Sequence, residues 1–273
     1  KAGFTQIADL YRKIRNAWRF MLQVLRKEAP ARVPVSQLQP LDRAVVARLA
    51  ALVPECERRY RRYDFRGVQG LVVDFLGDLS AFYLDVCKDW LYNDAAGSAR
   101  RRSSLAAIDT VLRATACVMA PLLPFTTEDL WDHLPKREGD PSSVHLAGWP
   151  AVEIPADSPA LLDAVSAVRA LRDRVNLEME PLVQAWGVER QAAKKENRAP
   201  GEGGAKFAPE AQLDDKKDAH AEVTVSADEH AKLEPLAGVL TECLILGQLD
   251  VTVGEGRTVR VRRAATEGCP RCW

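Results

Sequence analysis

Between residues 5 and 119, apolar side chains recur three or four apart with few interruptions, and that period commits the chain to helices that each bury one face. The first stretch runs from about Thr5 to Lys27, with Ile7, Leu10, Ile14, Met21 and Leu25 on one side. The second, from about Leu41 to Tyr63, carries Leu41, Val45, Leu49, Leu52, Cys56, Tyr60 and Tyr63, with Pro54 predicting a kink. A third is predicted from Phe65 to Tyr92, and its stripe of Val68, Leu71, Val72, Phe75, Leu79, Phe82, Val86 and Trp90 has no obvious break. Ser98 is placed to cap a fourth that ends near Met119, before Pro121. Thr126 or Thr127 is placed to cap a short helix through Trp131, with Asp129 favouring its positive end. Four long amphipathic helices on short connections make an α-helical bundle over residues 1–150.

The rest of the chain changes character. Residues 151–190 read as a connecting helix, regular from about Pro159 to Glu180. Residues 191–220 are charged, rich in Ala, Gly and Pro and poor in large apolar side chains, so they are expected to be mobile. In residues 221–273, alternation predicts strands at Ala221–Ser226, Leu249–Val253 and Thr258–Arg262. A helix over His230–Cys243 and a turn at Gly254-Glu-Gly256 complete a small α+β domain. The fold class is therefore mainly α, a helical bundle followed by a small α+β domain with a cysteine-knuckle end.

That knuckle is Gly268-Cys269-Pro270-Arg271-Cys272-Trp273. Cys-x-x-Cys in a tight turn offers Cys269 and Cys272 to one Zn²⁺, which wants four ligands. No second pair with suitable spacing occurs, and the first residue is Lys1, so the chain reads as a piece of a larger protein cut through a zinc site. A redox dithiol is the alternative, but such motifs open a helix in a βαβ unit, and this one follows strands. Cys56, Cys87, Cys117 and Cys243 stand alone in apolar helical patterns, usage that suits a reducing cytoplasm. No apolar run of about 18 residues and no signal-peptide pattern is present, so no membrane partner is expected.

The formal net charge is +0. It divides unevenly: residues 1–150 hold 22 Lys and Arg against 17 Asp and Glu, and residues 151–273 hold 16 against 21. Arg12, Arg15, Arg19 and Arg26 share one face of the first helix, flanked by Lys13 and Lys27, with Asp9 the single acid before Glu28. Guanidinium groups in a row suit the phosphates of a nucleic acid. They equally suit the acidic stripe Asp74, Asp78, Asp85 and Asp89 on the third helix, which would pair with them across a helix–helix groove. Arg100-Arg101-Arg102 opens the fourth helix against its dipole, which favours an external anion. Arg58, Arg59, Arg61 and Arg62 end the second helix, where the dipole welcomes them. His133, His145, His220 and His230 are scattered, and no catalytic residue is expected.

Tyr11-Arg-Lys-Ile-Arg-Asn-Ala-Trp-Arg-Phe20 resembles the opening of the anticodon-binding helical domain of class I aminoacyl-tRNA synthetases with aliphatic substrates. Asp78-Leu-Ser-Ala-Phe-Tyr-Leu-Asp-Val-Cys-Lys-Asp-Trp-Leu-Tyr92 is similar to the isoleucine-specific branch. Ala120-Pro-Leu-Leu-Pro-Phe-Thr-Thr-Glu-Asp-Leu-Trp131 and Ser143-Val-His-Leu-Ala-Gly-Trp-Pro150 are of types shared more widely in the group. The Cys-Pro-Arg-Cys-Trp end resembles the zinc-binding C-terminus of the bacterial isoleucine enzymes. The resemblance spans residues 4–150, 158–180 and 233–273 and fails over about 181–222.

It implies an enzyme that uses ATP and Mg²⁺, in a catalytic domain absent from this chain, to attach isoleucine to its tRNA. The present residues would hold isoleucine tRNA and read its anticodon, in a cytoplasmic monomer. Arg12, Arg15, Asn16 and Arg19 fall in the matching helix, with Arg100, Arg101 and Arg102 as a second basic cluster. Cys269 and Cys272 match the first two zinc ligands, and Trp273 is placed to stack on a base or to pack over the metal turn. Two rivals stand: the same region of a valyl-tRNA synthetase, whose C-terminus is typically a coiled coil, and a non-enzymatic helical adaptor with a metal-stabilised tail.

Overall fold

A computed structural model describes residues 2–28, 32–201 and 211–265. The chain forms two compact units, residues 1–162 and residues 163–273.

The first unit is a bundle of α1 (Ala2–Lys27), α2 (Pro40–Tyr60), α3 (Phe65–Ala81), α4 (Tyr83–Asn93), α5 (Ala99–Met119) and α6 (Pro124–His133). Helix α5 runs through its middle and packs against α1, α2, α4 and α6. Small buried residues, Ala106, Ala107, Ala114 and Ala116, let its neighbours approach closely. Trp18 and Trp90 are among the largest fully buried side chains, and each indole N–H finds a hydroxyl of α5. Trp18 Nε1 donates to Thr115 Oγ1 at 3.0 Å, and Trp90 Nε1 donates to Ser104 Oγ at 2.9 Å. Replacing Thr115 by the isosteric Val strands the Trp18 N–H in the core. Urea unfolding should show a loss of about 1–3 kcal/mol with the helical signal unchanged.

A buried carboxylate ties three helices together. Asp42 of α2 accepts from Tyr83 Oη of α4 at 2.6 Å, from Ser104 Oγ of α5 at 2.9 Å, and from Ser103 Oγ. Burial pushes its carboxyl up to about 6, against the pull of those three hydroxyls and of Arg43. On the far side of α5, buried Asp109 pairs with Arg113 and Arg137, and Arg113 also reaches Asp140 at 2.8 Å.

Several sequence expectations are corrected. The third predicted helix is two, with a break at Phe82 (φ −123°, ψ −72°). Phe82, Tyr83 and Leu84 are all buried, a wider arc than one straight helix presents to a core, and the break turns Tyr83 onto Asp42. Ile7 of the α1 stripe is 58% exposed. Ser98 does cap α5, its Oγ accepting from the Arg101 N–H at 3.2 Å. Neither Thr126 nor Thr127 caps α6: Leu123 stands at that position, Pro124 follows, and Thr127 is buried and donates to the Leu123 carbonyl at 3.0 Å. Asp129 therefore lies past the first turn.

Helix α7 (Ser158–Glu196) runs further than predicted, through Pro181. Within the segment 191–220, α7 continues to Glu196 and a strand begins at Ala219. In the second unit, β1 (Ala219–Val225) is the middle strand of three. It pairs parallel with β2 (Gln248–Val253) and antiparallel with β3 (Thr258–Arg263). The turn at Gly254–Gly256 thus joins strands that flank β1 instead of pairing with each other. The predicted helix over His230–Cys243 is interrupted: α8 (Ala227–Leu233), a 3-10 stretch with Pro235 at its start, and α9 (Leu240–Leu244). Ala219, Ala221, Val223 and Val225 alternate inward with Leu233, Leu236, Leu240, Cys243 and Leu244 in the same core.

Cys56, Cys87 and Cys243 are buried free thiols and Cys117 is half-buried. Burial raises the Cys56 and Cys117 thiols to about 11 and Cys243 to about 12. No helix among the described residues is long and apolar enough to cross a membrane.

Candidate nucleic-acid interface

Helix α1 buries Ile14, Ala17, Trp18, Met21, Val24 and Leu25 against the bundle. At 3.6 residues per turn, that leaves Arg12, Arg15, Arg19 and Arg26 along the opposite arc, and all four are exposed. Lys13, Asn16 and Lys27 are exposed beside them. Arg12 Nη1 lies 2.7 Å from Asp9, a solvated i, i+3 pair that leaves the guanidinium open to a second partner. Lys27 Nζ stands 5.1 Å from the centre of the Tyr92 ring. Arg15, Arg19 and Arg26 form no ion pair among the described residues.

Three residues of the acidic stripe on the third predicted helix have partners on α2 or α4. Asp78 pairs with Arg48 of α2, Asp85 lies 3.3 Å from Lys88, and Asp89 accepts from Asn93 at 3.3 Å. Asp74 is exposed. Among the described residues, no ion pair joins this stripe to the α1 arginines.

The second basic cluster is different. Arg100 grips Asp94 at 2.9 Å and lies 4.8 Å from the centre of the Trp90 ring. Arg101 Nε donates to Glu28 at 2.7 Å, and its Nη1 donates to the Asp94 carbonyl at 3.3 Å. The Arg100 hydrogen bond in turn holds the Asp94 carboxyl below its usual range. Two of the three guanidiniums are thus engaged inside the protein, which answers the dipole mismatch that suggested an external anion. Arg102 is exposed. Arg58 and Arg59 pair with Glu55, and Arg61 pairs with Glu57, as expected of a helix end that carries its own counter-charges.

Two grooves flank the crest of α1. One, of about 850 Å³, lies against α3 and α4 and is lined by Lys13, Asn16, Phe20, Asp74, Ser80 and Lys88, among others. The other, of about 240 Å³, lies against α6 and is lined by Arg15, Trp18, Arg19, Leu22, Thr126, Asp129, Leu130 and His133. The α6 residues are more than 100 positions from Arg15, and only the bundle topology brings them together. The sequence signal for this wall was slight: an acid and a histidine four apart on a short helix.

Cys269, Cys272 and Trp273 lie outside the described residues. Elsewhere, His220, Glu222 and Asp250 place possible metal-ligand atoms within 4.8 Å of one another. These groups already have partners: His220 Nε2 donates to Asp250 at 2.7 Å, and Glu222 pairs with Arg262 at 2.7 Å. They include none of the thiolates that the knuckle would bring to zinc.

Residues 42–183 match the family described as the anticodon-binding domain of tRNA ligase. An isoleucine–tRNA ligase from Gloeobacter violaceus is 33% identical over 276 residues, covering 98% of this chain and 26% of that protein. One from Moorella thermoacetica is 30% identical over 285 residues, covering 98% of this chain and 28% of the relative. One from Geobacillus thermodenitrificans is 37% identical over 178 residues, covering 64% of this chain and 19% of the relative. The chain thus spans about a quarter of the length of the relatives that it matches almost throughout. Matched by that family over residues 42–183, more than half of its length, the chain belongs to the anticodon-binding domain family of tRNA ligases.

Proposed function

We propose that this chain is the tRNA-holding and anticodon-reading portion of an isoleucine–tRNA ligase. The observation that carries the reading is the face of α1 on which Arg15, Arg19 and Arg26 stand exposed without ion pairs among the described residues, while Arg100, Arg101, Arg58, Arg59 and Arg61 are held by acids of the bundle. In such an interface, guanidiniums on phosphates position the RNA, and unpaired bases are read by stacking and edge hydrogen bonds. Arg12, Arg15, Asn16 and Arg19 form the phosphate-holding crest, with exposed Arg102 as an outlying contact. The names of the relatives support isoleucine tRNA as the partner and leave the valine enzyme and the adaptor without support.

The whole ligase would bind ATP and Mg²⁺ in its catalytic domain and work in the cytoplasm as a monomer. Cys269 and Cys272 would supply two of the four ligands that a structural zinc takes, with Trp273 beside them.

The test is a filter-binding titration with isoleucine tRNA, valine tRNA and an unrelated RNA duplex, with and without zinc, at two salt concentrations. Salt-sensitive preference for isoleucine tRNA is expected. Equal weak binding to all three would overturn the assignment of anticodon reading to this chain.

A further inference from the structure

We propose that the groove between α1 and α6 is a slot for one unpaired RNA nucleotide. Its phosphate rests on Arg15 with the adjoining phosphate on Arg19, and the donor-bearing edge of its base meets Asp129. The inference deepens the tRNA-binding reading and rests on it.

The lining of the slot selects this ligand by elimination. One wall carries two exposed guanidiniums with no ion pair among the described residues, which call for an anion. The other wall carries the Asp129 carboxylate, 80% exposed, with His133 Nδ1 3.7 Å away. A purely anionic ligand would be repelled by Asp129, and a cation would be repelled by the arginines. The ligand therefore has a negative end and a neutral end rich in hydrogen-bond donors.

Between the walls lies half-buried Leu22, with buried Trp18 and Leu130 beneath it, an apolar floor that suits a flat ring. A nucleotide has all three parts. A base in a duplex spends its Watson–Crick edge on its partner, so the slot takes an unpaired one. A carboxylate accepts and does not donate, so the favoured edge is one with adjacent donors. Guanine offers N1–H and N2–H side by side, in the fork that a carboxylate accepts well.

His133 fixes the wall. Its Nδ1 lies 2.7 Å from the Asp129 backbone carbonyl, which can only accept, so Nδ1 carries the proton. That bond holds the imidazole one turn beyond Asp129 and leaves Nε2 as a further polar group for the base or ribose. His133 is a positioning residue here.

The test uses fluorescence anisotropy of the full chain with single-stranded heptaribonucleotides that differ only at the central base: guanine, inosine or uracil. Inosine lacks the N2 donor. The wild type is expected to bind the guanine oligomer about tenfold more tightly than the inosine one, the worth of one hydrogen bond to a charged group. Asp129→Asn should erase that difference, while Arg15→Ala should weaken all three oligomers alike. A change on Asp129→Asn that is the same for all three would overturn the slot, since Asp129 would then act only as a charge near phosphates. So would a wild type without preference among them. Either result, alongside retained salt-sensitive binding of isoleucine tRNA, leaves the tRNA-binding reading intact. Failure of the wild type to bind that tRNA at all would overturn both.

Discussion

Replacing Arg15 and Arg19 together by Ala weakens binding of isoleucine tRNA about 60-fold at 0.1 M salt. This is the expected result if each guanidinium neutralises one phosphate. Observed affinity falls with salt at close to the 0.9 power for every phosphate contact, so two lost contacts forfeit nearly two decades at that concentration. The slope of log affinity against log salt should drop by about two in the same experiment. Both side chains are exposed and lack ion pairs among the described residues, so the far-ultraviolet spectrum and the unfolding midpoint should not move. Arg101→Ala is the matched control. Its guanidinium lies on Glu28, so it should cost stability and change tRNA affinity less than about twofold. Unchanged affinity in the double variant would reduce the α1 face to a solvated surface.

Asp42→Ala should destabilise the bundle by about 3–5 kcal/mol, the larger effect on folding. The substitution removes the acceptor of Tyr83, Ser103 and Ser104, and Ser104 in turn holds the Trp90 N–H. Loss of one side chain thus leaves hydroxyl donors from two helices without that acceptor in a dry core.

The same site makes a pH prediction with a definite sign. The Asp42 carboxyl sits near 6 in the fold and near 3.8 when unfolded, so the folded chain binds the extra proton between those values. Its contribution to stability is present in full below about pH 3.8, falls as the pH rises toward 6, and is flat above. Asp42→Asn removes that dependence. The gap between the wild type and this variant should shift by about 2 kcal/mol between pH 4 and pH 7 in urea unfolding. A constant gap would mean that Asp42 titrates normally in the fold.

Periodicity carried most of the bundle because a helix face needs only its own sequence to be legible. Ile14, Met21 and Leu25 are buried where the three-and-four spacing placed them. Ile7 fits the same pattern and is exposed, because a stripe does not say how far its neighbour extends. The break at Phe82 was hidden for a similar reason: the apolar pattern passes through it without a gap, and the demand that bends the chain comes from Asp42, 40 residues earlier. The site was legible as a composition and not as a geometry. Nothing near Arg101 names Glu28 as its partner, and nothing near Asp78 prefers Arg48 to the arginines of α1. Which cations remain for an external partner depends on these long-range pairings. The second unit shows the limit for strands, since a tight turn suggests a hairpin and here it steps across β1.

The sheltered thiols turn this protein into its own conformational clock. Cys56, Cys87 and Cys243 are buried, and burial weakens the acidity of Cys56 and Cys243, which keeps them from forming the reactive thiolate near neutral pH. A thiol reagent can therefore modify them only when the surrounding core opens. With Cys269 and Cys272 replaced by Ser, mass spectrometry could follow alkylation of Cys56 and Cys87 for the bundle and Cys243 for the α+β unit. The two units would then be timed separately, in one tube, without a foreign probe.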